Sequence, residues 1–211
     1  QEAHIVSMLL SGLVLWQIVF RVNLETAKGL YQELLHSSLA TLFSTPLTWA
    51  EWVAAMMLLG VVNMILIFVC SAVTVWLLYG ISLSVLGWNL IPFTLSLLIS
   101  GWFIGFFICG IIMHWGLKAT DFIYIIGYVF APFSAIFYPV HALPQGLQYI
   151  SKALPTTAVF EAMRYTIRTG QSSPELLLTS FALNALYLTA SLYFFYLMFE
   201  RRKQFGFTRS Y

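Results

Sequence analysis

The chain has 211 residues, 60% of them hydrophobic and only 9% charged, with a formal net charge of +2. Soluble domains carry roughly 25% charged residues, so this composition cannot cover a water-facing surface and excludes a soluble fold. The small net charge gives no reason to expect nucleic acid as a partner, and the expected surroundings are membrane lipids.

In chain order, the first apolar run covers about 4–20. It is followed by LETAKGLYQELLHSSLATLF at 24–43, where Leu30, Tyr31, Leu34, Leu35, Leu39 and Leu42 recur at helical spacing with Lys28, Gln32, Glu33, His36 and Ala40 on the opposite face. This pattern predicts an amphipathic helix lying along the membrane surface or against the base of the spans. Thr48 and Glu51 form a capping box that opens a span at about 53–78. From Trp52 to Met113 there is no charged residue or histidine, and about 93 Å of helix must turn back on itself to fit a ~30 Å hydrocarbon core. Tyr79-Gly80 is the expected turn. The next span, about 84–113, carries Pro92 near its start and is expected to begin with a kinked or separate first turn. Thr120-Asp121 is read as the cap of a fourth span at 121–140, and Ser173-Pro174-Glu175 as the start of a fifth at 175–199.

Between the last two spans lie Pro144, Pro155 and Pro174, which cut 141–175 into pieces too short to cross. Leu147, Ile150 and Leu154 on one piece, and Phe160, Met163 and Ile167 on the next, form apolar stripes, which predicts two short re-entrant helices within 145–168. Glu161 and Arg164, three residues apart, are expected to pair with each other. The fold expected is thus an all-α integral membrane protein of five spans, one amphipathic helix and a re-entrant helical hairpin.

Seven basic residues (Arg21, Lys28, Lys118, Arg201, Arg202, Lys203 and Arg209) share one side in this arrangement, against Lys152, Arg164 and Arg168 on the other. The positive-inside rule puts the larger group in the cytoplasm and the hairpin outside. Gln1 then falls on the outer side, so parity asks for one further span upstream.

No catalytic or phosphate-binding motif occurs (HExxH, GxSxG, CxxC or a Walker A loop), so neither catalysis nor ATP hydrolysis by this chain is expected, and no cofactor or metal site. Cys70 and Cys109 sit in apolar runs and suggest no disulfide. An intramembrane enzyme would need His114, Asp121 and His141 to converge across the membrane. The spans carry no central ionised residue in this parsing, and Asn63, Asn89 and Asn184 are expected to bond between helices. Gly101-xxx-Gly105 allows close helix approach, and Trp16, Trp49, Trp52, Trp76, Tyr79, Trp115, Tyr138 and Tyr196 fit interfacial anchoring.

The order of segments resembles the permease subunit of type-2 ABC exporters. The stretches that carry the resemblance are Leu15 to Arg21, then Gln32-Glu33-Leu34 with Ser44-Thr45-Pro46-Leu47 and Glu51, and above all Ala131 to Val140. After these come Leu143-Pro144, Leu154-Pro155 and Phe160-Glu161-Ala162-Met163-Arg164. The resemblance implies a six-span subunit of which this chain holds spans two to six, in a multi-pass bacterial inner-membrane setting. It also implies that 24–43 is a coupling helix, with Lys28, Gln32, Glu33 and His36 facing a separate cytoplasmic ABC ATPase that binds the ATP. Pro144, Pro155, Glu161 and Arg164 would shape an outer gate, and two permeases would form a homodimer with the substrate path between them. The competing expectation is a polytopic scaffold or assembly subunit with no ATPase partner, for which 24–43 is a plain interfacial anchor.

Overall fold

A computed structural model describes residues 2–35, 48–80 and 83–205. Every regular element among them is helical: α1 (Glu2–Leu35), α2 (Trp49–Tyr79), α3 (Leu90–Trp115), α4 (Phe122–Phe133), α5 (Gln145–Ala153), α6 (Pro155–Thr169) and α7 (Pro174–Phe205). Four of these, α1, α2, α3 and α7, are long and apolar enough to cross a membrane, as befits a multi-pass membrane protein.

Helix boundaries follow local chemistry closely. Thr48 donates its backbone N–H to Glu51 Oε2 at 2.7 Å and its hydroxyl accepts from the Glu51 N–H at 3.3 Å, which closes the expected capping box. Gly80, at φ 64°, ends α2 in the left-handed conformation that costs other residues a Cβ clash. A short 3-10 segment, Leu83–Asn89, precedes α3 as expected, but the break lies at Gly87 (φ 53°, ψ −139°) and not at the proline. Pro92 sits in the first turn of α3, where its missing N–H costs no helical bond. At two further expected starts, Asp121 has helical dihedrals and forms no side-chain cap, and the Ser173 hydroxyl is buried without a partner.

The packing is centred on α3, much of which is buried, with α1 and α7 against it. By contrast α2 buries only Trp52, Val53 and Gly60 and turns Leu58, Leu66, Val69 and Val73 outward. The Gly101-xxx-Gly105 pair is spent inside the chain: a Cβ on Gly101 would lie 2.7 Å from Val22 Cβ, and one on Gly105 would lie 2.7 Å from Thr26 Cβ. These notches let α1 and α3 run side by side in near-constant register.

Two expectations are corrected. The separation of 4–20 from 24–43 does not exist as far as Leu35, because α1 is one helix of 34 residues, about 51 Å long. Nothing between Phe20 and Lys28 breaks a helix. Val22, Leu24, Ala27 and Leu30 continue the buried ridge of Leu15, Ile18 and Val19, so 24–35 stands against α3, the second of the two placements expected for it, and does not lie along a surface. Leu39 and Leu42 fall outside the described residues. The fourth predicted span is also shorter than expected, since α4 has 12 residues, about 18 Å, and stops at Phe133 just after Pro132.

Contacts fix how the elements stack. At one end, Arg202 donates to the carbonyls of Ile112 (3.4 Å) and Met113 (2.9 Å), near exposed Lys118. This is the basic end. At the other, α5 and α6 form a hairpin beside the start of α7 and the upper part of α1. The hairpin starts where the prolines predict, with Pro144 before α5 and Pro155 as the first residue of α6. Phe160, Met163 and Ile167 are buried as expected, whereas Ile150 is exposed and Leu147 and Leu154 are half-buried.

Candidate functional site

The first constellation is built on the broken end of α4. From Ser134 to Pro139 the backbone leaves the helix while Ser134, Ala135 and Ile136 are almost wholly buried, and Ala135 has φ 53°. Backbone polar groups buried outside a helix need partners from elsewhere. The hairpin supplies them. Thr157 donates to the Phe133 carbonyl at 3.3 Å, and Arg164 Nη1 donates to the Ala135 carbonyl at 2.7 Å. Glu161 Oε1 accepts the Val140 N–H at 2.9 Å and also accepts from Arg164 Nη2 at 2.9 Å. The Ser134 hydroxyl donates to the Phe130 carbonyl, sharing a second bond with Thr156.

Glu161 and Arg164 therefore do pair, at 2.9 Å with the arginine largely buried. Their purpose is wider than the spacing suggested: together they clamp 135–140. Pro144 and Pro155 set the ends of α5 and take no part in the clamp.

A second polar group anchors α6. Asn184 on α7 donates to the Ser96 carbonyl (2.9 Å) and hydroxyl (2.8 Å) and accepts from the Ser100 hydroxyl (2.8 Å). Ser180 shares a hydrogen bond with Ser96 and donates to the carbonyl of Pro155 at 2.8 Å. Asn184 fills the interhelical role expected of it, while Asn63 and Asn89 are only half-buried.

The third constellation crosses the boundary at which the sequence was divided. Gln17, Arg21, Glu25, Lys28 and Gln32 follow one another at four- and three-residue steps, and on a helix turning 100° per residue they fall within about 80° of arc. Gln17, Arg21 and Gln32 are exposed, and Glu25 and Lys28 are half-exposed. Two aromatic side chains of α4 border this face. Lys28 Nζ lies 5.8 Å from the Tyr124 ring centroid, and Tyr128 packs on Phe20 at 5.2 Å. Since Val22 meets Gly101 and Thr26 meets Gly105, Arg21 stands about 18 Å along the bundle from the level of Met113, well inside the apolar length of α3. That corrects the expectation that no spanning helix carries an ionised residue at depth.

Of the four coupling residues named from the sequence, Lys28 and Gln32 belong to this face. Glu33 is half-buried and lies off this face, about 80° beyond its edge at 100° per residue, and His36 lies outside the described residues. Gln17, Arg21 and Glu25 were missed, although their four-residue spacing was visible once the run was not cut at residue 20. His114 and Asp121 are exposed at the basic end and His141 is exposed at the hairpin end, so they do not converge. Compared with known proteins, the sequence matches no family description and no curated protein.

Proposed function

We propose that the chain is the permease subunit of an ATP-driven ABC exporter, acting as a homodimer with a separate cytoplasmic ATPase and forming the substrate path between two copies. The observation that carries this reading is the charged face of α1. An arginine at the centre of a span costs about 2.5–3.5 kcal/mol when inserted against lipid, and Glu25 and Lys28 lie on the same face. Such a face is stable at that depth only if it meets water or another subunit. A path between two permeases provides both.

The basic end is assigned to the cytoplasm by its Lys118, Arg201 and Arg202. The ATPase docks there, at the foot of α1 that carries Lys28, Gln32 and Glu33. The α5–α6 hairpin is the outer re-entrant element, and its clamp on 135–140 keeps the outer end of the path in one shape. With α4 as a half-span completed by 134–140, five segments of this chain cross the membrane.

Co-expression of the full chain with an ABC ATPase encoded beside it tests the reading. The expected result is a complex of paired permeases and paired ATPases whose ATP hydrolysis rises on reconstitution. A chain that purifies alone, as a monomer, with no effect on the ATPase, overturns it and favours the scaffold.

A further inference from the structure

We infer that the charged face of α1 selects an oxyanion, with Arg21 and Lys28 recognising a phosphate or carboxylate group on the exported molecule. The inference rests on the permease reading and adds its substrate chemistry. Two copies inserted in the same direction can be related only by a two-fold axis along the membrane normal, and that axis sets each residue opposite its own copy at the same depth. Arg21 then faces Arg21, Glu25 faces Glu25 and Lys28 faces Lys28. A dry contact would press like charges together at each of these levels. The two faces are therefore separated by water, and their charges form successive rings, positive, negative and positive.

Rings of Arg and Lys select anions in pores, and here two positive rings outweigh one negative ring. The ring of Arg21 is the decisive one. Beyond it, toward the hairpin end, the same face continues through Gln17 to the exposed apolar Leu13 and Val6, so an anion entering from the basic end meets Arg21 after Lys28 and Glu25 and before an apolar stretch. The guanidinium offers a planar fork of donors that fits an oxyanion in bidentate fashion, which a point charge does not. Lys28, held over the Tyr124 ring, forms the entry ring.

The test places a cysteine at Gln17, beyond the rings, in full-length chain lacking its own thiols (Cys70→Ala, Cys109→Ala) and reconstituted in phosphatidylcholine vesicles. Anionic methanethiosulfonate ethylsulfonate and cationic methanethiosulfonate ethyltrimethylammonium are applied from the basic end, and their rates are normalised to a free thiol. The anionic reagent is expected to react about fivefold faster or more, as field focusing in a charged cleft allows. Arg21→Gln should bring the ratio to about unity, Arg21→Lys should keep most of it and Glu25→Gln should raise it. Equal rates with Arg21 intact overturn the oxyanion inference and leave the permease reading standing. A cysteine that reacts with neither reagent removes the wet path, and the permease reading falls with it. Two competitors then separate the sources of the anion. Protection by phosphatidylglycerol in the vesicle identifies a lipid headgroup, protection by soluble inorganic pyrophosphate identifies a water-borne oxyanion, and protection by neither overturns recognition.

Discussion

Arg164 Nη1 donates a 2.7 Å hydrogen bond to the carbonyl oxygen of Ala135, the one non-glycine residue with positive φ among the described residues. Left-handed backbone is unfavourable for alanine and persists when its surroundings hold it. Here a buried guanidinium holds it, and Glu161 both balances that charge and secures the Val140 N–H five residues later.

Exchanging the two charges is therefore expected to fail. A carboxylate at 164 would face the Ala135 carbonyl, acceptor against acceptor, and a guanidinium at 161 would face the Val140 N–H, donor against donor. Arg164→Gln should cost about 3 kcal/mol, as expected for breaking a buried ion pair, and Glu161→Gln less because that side chain is 31% exposed. Thermal unfolding in detergent should show the swapped double variant at least as unstable as the worse single variant. Recovery of stability in the swap would mean that the pair acts alone and the backbone contacts are incidental.

The glycine notches predict a size rescue. Gly101→Ala places a methyl group 2.7 Å from Val22 Cβ and should destabilise by about 1–3 kcal/mol through overpacking. Adding Val22→Gly removes the opposing Cβ and Cγ1 and should return part of that loss, less about 1 kcal/mol for a glycine inside a helix, in the same unfolding measurement. If the two changes simply add, the helices do not meet at this notch.

Asn184→Ala would leave the Ser96 carbonyl and the Ser100 hydroxyl without their partner across α3 and α7. A loss of about 1–2 kcal/mol is expected, the scale of interhelical hydrogen bonds in membranes. Asn184→Leu should be no better, since an apolar side chain offers no hydrogen bond to Ser96 or Ser100. Wild-type stability in either variant would show that this group is dispensable.

Orientation can be read by labelling. Tyr149, 78% exposed on α5, and Lys118, exposed at the basic end, are suitable cysteine sites, whereas Ser151 is fully buried. In intact cells of a thiol-free background, Tyr149→Cys should react with a membrane-impermeant reagent and Lys118→Cys should react only after permeabilisation. The reverse pattern would turn the protein over and move the ATPase to the hairpin end.

What the sequence made legible was local. The capping box at Thr48 and Glu51, the turn at Gly80 and the proline starts at Pro155 and Pro174 depend on residues within a few positions of one another. The two misplaced boundaries depend on distant partners. Asn23 and Thr26 look like the start of a polar segment, yet their side chains bond back to the Phe20 and Val22 carbonyls of the same helix, and Thr26 is seated against Gly105. In the same way 134–140 looks apolar enough to continue a span. It is released from helix because Pro132 weakens the turn and because Thr157, Glu161 and Arg164, more than twenty positions away, take over its backbone groups. Hydropathy along one segment cannot register either arrangement, and for the same reason the charged face was split between two predicted elements.

The continuity of α1 also limits how it can answer a push. Sliding along α3 would lift Val22 and Thr26 out of their glycine seats, and rolling would turn the buried ridge off α3 and bring the charged face toward the core. Tilting about the seats breaks neither. Taking the pivot at about residue 24, Leu35 lies about 16 Å below it and Gly12 about 18 Å above it, so the arms of this balance beam are nearly equal. An inward displacement at the foot of α1 would appear as an outward one of similar size at Gly12, which abuts the Ile136 carbonyl in the clamped segment. The two ends of the protein would thus move in opposite senses, with one closing as the other opens.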